Sequence, residues 1–196
     1  MGNNEGFEEF ESSVSHLSGR ERLEYFNRKL NDGVTLLCEA ARRGNVMFVN
    51  YLLDICAVDV DMNDTYFGTT LWSATGMFVK QVDVVATLVH HGANINSLSS
   101  KNSTPILNAC RAGNAQTVRF LYEHGRNIHR TDSIQTCLVH SVSIRELYDY
   151  LIQRGVDINA TDCRDATALH YAIESLCAAA AKLPLNYNAD VTIKND

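Results

Sequence analysis

Along most of this chain apolar residues recur at steps of three and four. Val46, Val49, Leu52 and Leu53 form one such stripe, Val84, Val85, Leu88 and Val89 a second, and Val118 and Leu121 a third. This spacing predicts helices that bury one face, and Gly92, Gly125 and Gly155 stand where helices of this kind would close. Each stripe follows a shorter apolar segment that opens on threonine, so the pattern predicts pairs of antiparallel helices. Before the first pair, Phe7, Phe10, Val14 and Leu17 share one helical face, and Leu23, Phe26 and Leu30 share another. With Ser18-Gly19 between them, two amphipathic helices over residues 1–31 are expected to cap the N-terminal end.

The threonine-led segments repeat. Thr69-Thr70-Leu71-Trp72, Thr104-Pro105-Ile106-Leu107 and Thr167-Ala168-Leu169-His170 are clear copies, and Thr35-Leu36-Leu37-Cys38 and Thr136-Cys137-Leu138-Val139 are weaker ones. Successive threonines lie 34, 35, 32 and 31 residues apart. That brackets the ~33-residue period of ankyrin repeats, whose signature is T-P-L-H-x-A. The expected fold is an all-α ankyrin-repeat solenoid with long finger loops and repeats over about 32–66, 67–100, 101–132, 133–163 and 164–196. Each threonine hydroxyl can cap its helix, and Pro105 suits a first helical turn because no amide donor is needed there. Gly44 and Gly113 suit left-handed caps. The small pairs Ala40-Ala41 and Ala109-Cys110 let consecutive first helices pack closely.

The copies also differ. Repeat two carries an apparent two-residue insertion around Met77–Lys80. Repeat four is short and lacks a turn glycine between Val139 and Leu147. Pro184 falls inside the expected last helix, which it should kink or end, making repeats four and five the softest. The chain stops at Asp196, where another repeat would begin, so a fragment or a longer native chain is expected.

The net charge of -6 and pI near 5.6 argue against nonspecific binding to nucleic acid or anionic membranes. They favour basic peptides, or serve solubility alone. Six cysteines include no C-x-x-C pair, which argues against zinc and fits buried thiols in a reducing compartment, cytoplasmic or nuclear. No apolar run approaches the ~20 residues that span a bilayer. The histidines are scattered, and His170 reads as the repeat motif's own structural residue, bonding backbone between repeats. No phosphate loop, nucleophile elbow or carboxylate pair is present. No enzyme, metal or cofactor is expected; the function lies in binding protein.

The loop from Val58 to Phe67 holds Asp59, Asp61 and Asp64 together with Tyr66 and Phe67, just before Trp72. Carboxylates beside aromatic walls can seat a guanidinium through paired hydrogen bonds and stacking. The same residues also read as a solvated acidic loop whose aromatics pack into the stack. Trp72 reads either as a large core filler or as an interface anchor.

The Trp variant Thr70-Leu71-Trp72-Ser73-Ala74 is followed by His91-Gly92-Ala93-Asn94-Ile95-Asn96. Next come Asn102-Ser103-Thr104-Pro105 with Ala109-Cys110, then Thr136-Cys137-Leu138 and Thr167-Ala168-Leu169-His170. This order resembles the N-terminal ankyrin array of the Fem (feminization) proteins, from Leu17 to the end. The resemblance implies a substrate receptor of cullin-two-type RING ubiquitin ligases, whose early repeats hold C-terminal degrons ending in or near arginine. It implies that Asp61, 11 residues before Trp72, is a pocket aspartate and that Ser103 is a pocket residue. A second pocket aspartate is replaced by Ala112, which should weaken an arginine contact. The expected ligand seat is therefore Asp61, Tyr66, Phe67, Trp72, Ser103 and Ala112. Elongin and cullin subunits would bind only through a C-terminal box that these residues do not contain. The alternative is a generic interaction scaffold or inhibitor with no ligase coupling.

Overall fold

A computed structural model describes the chain except residues 1–10, 31–32, 66–67, 77–81, 126–136, 142–143, 163, 175–177 and 196. Among the described residues all regular elements are helical, apart from two isolated antiparallel bridges, Lys29 with Thr35 and Asn63 with Thr69. The all-α solenoid expected from the sequence is present. Helix α1 (Gly19–Asn27) precedes four inner helices: α2 (Leu36–Arg42), α4 (Thr70–Ala74), α6 (Pro105–Arg111) and α9 (Ala168–Glu174). Residues 137–140 form the inner helical turn of repeat four. The outer layer is α3 (Val46–Asn50), α5 (Val82–His90), α7 (Ala115–His124), α8 (Arg145–Gln153) and α10 (Ala178–Asn186).

The inner helices start where threonine dictates. The hydroxyls of Thr35, Thr69 and Thr104 accept the amides of Cys38, Trp72 and Leu107 at 3.1, 3.3 and 3.4 Å, satisfying donors that have no partner within the helix. In repeat five, His170 Nδ1 accepts the Thr167 amide at 3.1 Å and pairs with the Thr167 hydroxyl at 2.9 Å. It therefore caps its own helix, where the sequence suggested a bond between repeats. Two outer helices are capped instead by asparagine: Asn45 Oδ1 takes the Phe48 amide and Asn114 Oδ1 the Thr117 amide. Gly44 and Gly113 make the turns between helices at φ 74 and 70.

The predicted stripes form the core. Leu37, Val49, Leu52, Leu71, Val84, Val85, Leu88, Val118, Leu121, Leu147 and Leu151 are fully buried. Helix α3 runs into a wide π-type turn, Tyr51–Ile55, which turns three consecutive side chains, Tyr51, Leu52 and Leu53, inward. Small residues between inner helices allow specific contacts: Cys38 Sγ lies 3.2 Å from Thr70 Oγ1, and Cys137 Sγ donates to the Ile106 carbonyl at 3.8 Å. Cys38, Cys56, Cys110 and Cys137 are buried free thiols, and burial pushes the Cys38 and Cys110 thiols up. On the outer layer Arg154 lies over the rings of Tyr122 and Tyr150, linking α7 to α8.

The N-terminal region departs from expectation. Ser18 is not merely a break: its hydroxyl accepts the Glu21 amide while Glu21 accepts the Ser18 amide, a reciprocal capping box that starts α1. Of the expected face on α1, Phe26 is fully buried, but Leu23 and Leu30 are 40% and 37% exposed. The helix ends at Asn27, so Leu30 lies beyond it, and Phe26 is the one α1 residue that is buried. Phe7, Phe10, the Met77–Lys80 insertion and part of the 139–147 turn lie outside the described residues. Pro184 sits inside α10, and the helix ends two residues later at Asn186, with the Pro184 carbonyl taking the amides of Tyr187 and Ala189. No helix among the described residues is long and apolar enough to cross a membrane.

Candidate functional site

Among the described residues, repeats one, two, three and five each extend a finger whose tip is closed by a backbone bond across five residues. Leu30 donates to Val34, Asp64 to Gly68, Ser99 to Ser103 and Asp162 to Ala166, at 2.8 to 3.0 Å. A side-chain oxygen inside the tip takes a second amide: Asp64 Oδ1 from Gly68, Ser99 Oγ from Ser103 and Asp162 Oδ1 from Ala166, each at 3.1 Å. The fingers of repeats two and three pack tightly. A Cβ on Gly68, whose φ is 117, would lie 2.7 Å from Ser99 Cα, so only glycine fits.

A second set of bonds runs between repeats at the finger base. Asn27 Oδ1 takes the Asp59 amide at 3.1 Å, and Asn159 Oδ1 takes the Asp190 amide at 2.8 Å. Asp61 occupies the equivalent rung, and its two oxygens receive the Asn94 amide at 3.0 and 3.2 Å. The aspartate singled out in sequence is thus a charged version of a structural asparagine. Its remaining lone pairs are open to a further donor.

The other expected residues are held separately. Trp72 is half-buried on α4, and its carbonyl accepts from Asn108 Nδ2 at 3.0 Å and from the Thr75 hydroxyl at 2.7 Å. Ser103 is 4% exposed, and its Oγ has no hydrogen-bond partner among the described residues, which costs free energy unless a ligand or water supplies one. Ala112 follows α6 and donates its amide to the Asn108 carbonyl at 2.9 Å. Tyr66 and Phe67 lie outside the described residues.

Sequence reasoning passed over Asn108. It belongs to a row of partly exposed side chains, one per inner helix: Glu39, Ser73, Asn108, His140 and Tyr171. Its signal was its place four residues after Thr104, where Ser73 follows Thr69. Further along the row, burial and then the Arg111 charge push the His140 pKa down. Burial alone would raise the Asp162 carboxyl. The Tyr171 hydroxyl, the amides of Arg164 and Ala166 and the Arg164 charge outweigh it and hold it below the ordinary range. Among the described residues no three His, Cys, Asp or Glu side chains gather to hold a metal. What the surface offers is hydrogen-bonding groups and charge on a rigid row, suited to binding a polypeptide.

The family model for ankyrin repeats (3 copies) matches residues 9–99, 80–162 and 109–195. The chain is similar to Protein fem-1 homolog A-like of Mus musculus, 34% identical over 167 residues covering 80% of this chain and 26% of that protein. Protein fem-1 homolog A of Rattus norvegicus is also 34% identical over 167 residues, with the same coverage of each chain. An ankyrin repeat protein of Fowlpox virus is 30% identical over 132 residues, 51% of this chain and 24% of its own length. The chain thus spans about a quarter of the length of these relatives, at 24% to 26%.

Proposed function

The chain belongs to the ankyrin-repeat family, and on that footing we propose that it is the substrate-receptor part of a cullin-RING ubiquitin ligase, holding the C-terminus of a target protein against its early repeats. It works by binding, without catalysis, in the cytoplasm or nucleus. Elongin and cullin subunits would join only if a longer native chain carries the binding box. The seat comprises Asp61, Tyr66, Phe67, Trp72, Ser103, the start of α6 and Ala112.

The observation that carries this reading is the charge at Asp61. Asn27 and Asn159 serve the same rung with a neutral carbonyl, so a carboxylate there exceeds what the stack needs. Its spare capacity suits a basic group on a ligand, and the buried Ser103 hydroxyl supplies a donor for a peptide carbonyl or carboxylate. A charge-assisted hydrogen bond contributes about 1.5–3 kcal/mol, so Asp61→Asn should weaken binding of a basic C-terminal peptide by about tenfold or more. Titration of a C-terminal peptide library against wild type and this variant tests the seat. Co-purification of elongin and cullin with the full-length product tests the ligase. Equal affinities for every peptide would remove Asp61 from the site.

A second reading, a scaffold or inhibitor without ligase coupling, is favoured by Ala112, where the Fem pattern places its other carboxylate. Absence of any ligase subunit from the purified complex would select it.

A further inference from the structure

Asn108 and Ala112 stand one turn apart at the end of α6, joined by the Ala112 N–H to Asn108 carbonyl bond, so their side chains share a face. The Asn108 side chain is fixed in one orientation. Its Nδ2 donates to the Trp72 carbonyl at 3.0 Å and to Thr75 Oγ1 at 3.2 Å. Trp72 O can only accept, and Thr75 Oγ1 spends its own proton on that carbonyl. The amide therefore cannot be flipped. Its Nδ2 faces both of these acceptors, and its Oδ1 accepts from none of the described residues. A preorganised neutral acceptor thus lies beside Trp72 and next to the position where the Fem pattern has a carboxylate and this chain has Ala112.

Resting on the receptor reading above, we infer that Asn108 sets the specificity of this part of the groove, favouring a peptide group that bears a neutral N–H donor, such as a carboxamide, over a guanidinium. A guanidinium leaving water needs an opposite charge to offset its desolvation, and a carbonyl oxygen does not supply one. A carboxamide loses less hydration and pairs with a fixed carbonyl at full value. The surroundings add to the preference. Arg111, exposed at the end of α6, places a like charge beside any cation, and its field reaches the His140 ring across the row. On the finger side, Asp64 is turned into its own tip, taking the Gly68 amide and, at 3.5 Å, the Ser73 hydroxyl.

The test uses the full chain and matched peptides that all keep one basic residue upstream for Asp61 and have free carboxyl ends whose last residue is Gln, Arg or Leu, titrated by fluorescence anisotropy. Wild type should bind the Gln peptide about fivefold more tightly than the Arg peptide, the worth of one neutral hydrogen bond. Asn108→Ala should erase that preference while leaving the Leu peptide unchanged. It should also fold, because the Trp72 carbonyl keeps the Thr75 hydroxyl. Ala112→Asp, which leaves Asn108 in place, should turn the preference toward Arg. A wild-type preference for Arg, or a Gln-to-Arg ratio untouched by Asn108→Ala, would overturn the inference and leave the receptor reading standing. Failure of all three peptides to bind wild type would overturn the receptor reading, and this inference with it.

Discussion

His91 and Asp54 form an ion pair between the outer helices of repeats two and one, with Nε2 2.8 Å from the carboxylate. The other ring nitrogen lies 2.8 Å from the Thr87 carbonyl, so both nitrogens face acceptors and only the doubly protonated ring satisfies both. Hydrogen bonding to Asp54, and then to Thr87, raises the His91 pKa. A raised folded-state value means that stabilisation is complete below the unfolded value of about 6.5 and is lost as pH rises through the folded value. The urea midpoint should therefore fall as pH rises above about 6.5, and Asp54→Asn should flatten that slope. Both side chains meet solvent, so the variant should cost no more than about 1 kcal/mol.

Gly113 and Gly92 separate two costs. Both adopt left-handed backbone, at φ 70 and 86, but a Cβ at Gly113 would lie 2.6 Å from Ile144 Cδ1, whereas Gly92 has nothing within 4 Å. Gly92→Ala should cost about 1 kcal/mol, the penalty of the left-handed region. Gly113→Ala adds displacement of Ile144, so its urea midpoint should fall further. Equal midpoints for the two variants would show that Ile144 moves aside freely.

At the Asp61 rung, stability and binding should part company. Asp61→Asn keeps an oxygen for the Asn94 amide, as Asn27 and Asn159 do for theirs, and should leave stability within about 0.5 kcal/mol. Asp61→Ala leaves that amide to water and should cost about 1 kcal/mol, the worth of a typical hydrogen bond. Thermal melts of the two variants, beside their peptide affinities, distinguish a rung from a ligand contact.

Tyr148 is fully buried, and its hydroxyl has no partner among the described residues. Burial accordingly pushes its pKa well up. Removing the hydroxyl removes a desolvated group without opening a large cavity, so Tyr148→Phe should be neutral or stabilise by up to about 1 kcal/mol. A loss of 2 kcal/mol or more in urea denaturation would reveal a bonded hydroxyl.

Much of the fold was legible because local chemistry repeats. The threonine caps, the turn glycines and the apolar stripes each act within one repeat, and spacing exposes them. The reciprocal cap of Ser18 and Glu21 is equally local, but in sequence Ser18-Gly19 reads only as the separation between two helices. Leu23 and Leu30 were expected inside on periodicity alone, which cannot tell how many neighbours a helix has. The site was less legible. Asp61 stood out by charge, yet its tie to Asn94 depends on how one repeat sits on the next. Asn108 carries no unusual signal until the Trp72 carbonyl and Thr75 hydroxyl are seen to hold it.

The rungs at the finger bases join residues 32, 33 and 31 positions apart. The stack therefore keeps its spacing in space while its spacing along the chain drifts. Residues gained or lost between two rungs, for instance in the connection from an inner to an outer helix, need not disturb the repeats that follow. One residue inserted between Asp59 and Asp61 would pull the carboxylate off its amide and unhook the neighbours at once. Tolerance of length change is thus confined to the back of the array, and the edge that carries the proposed ligand seat is the edge where the chain must count correctly.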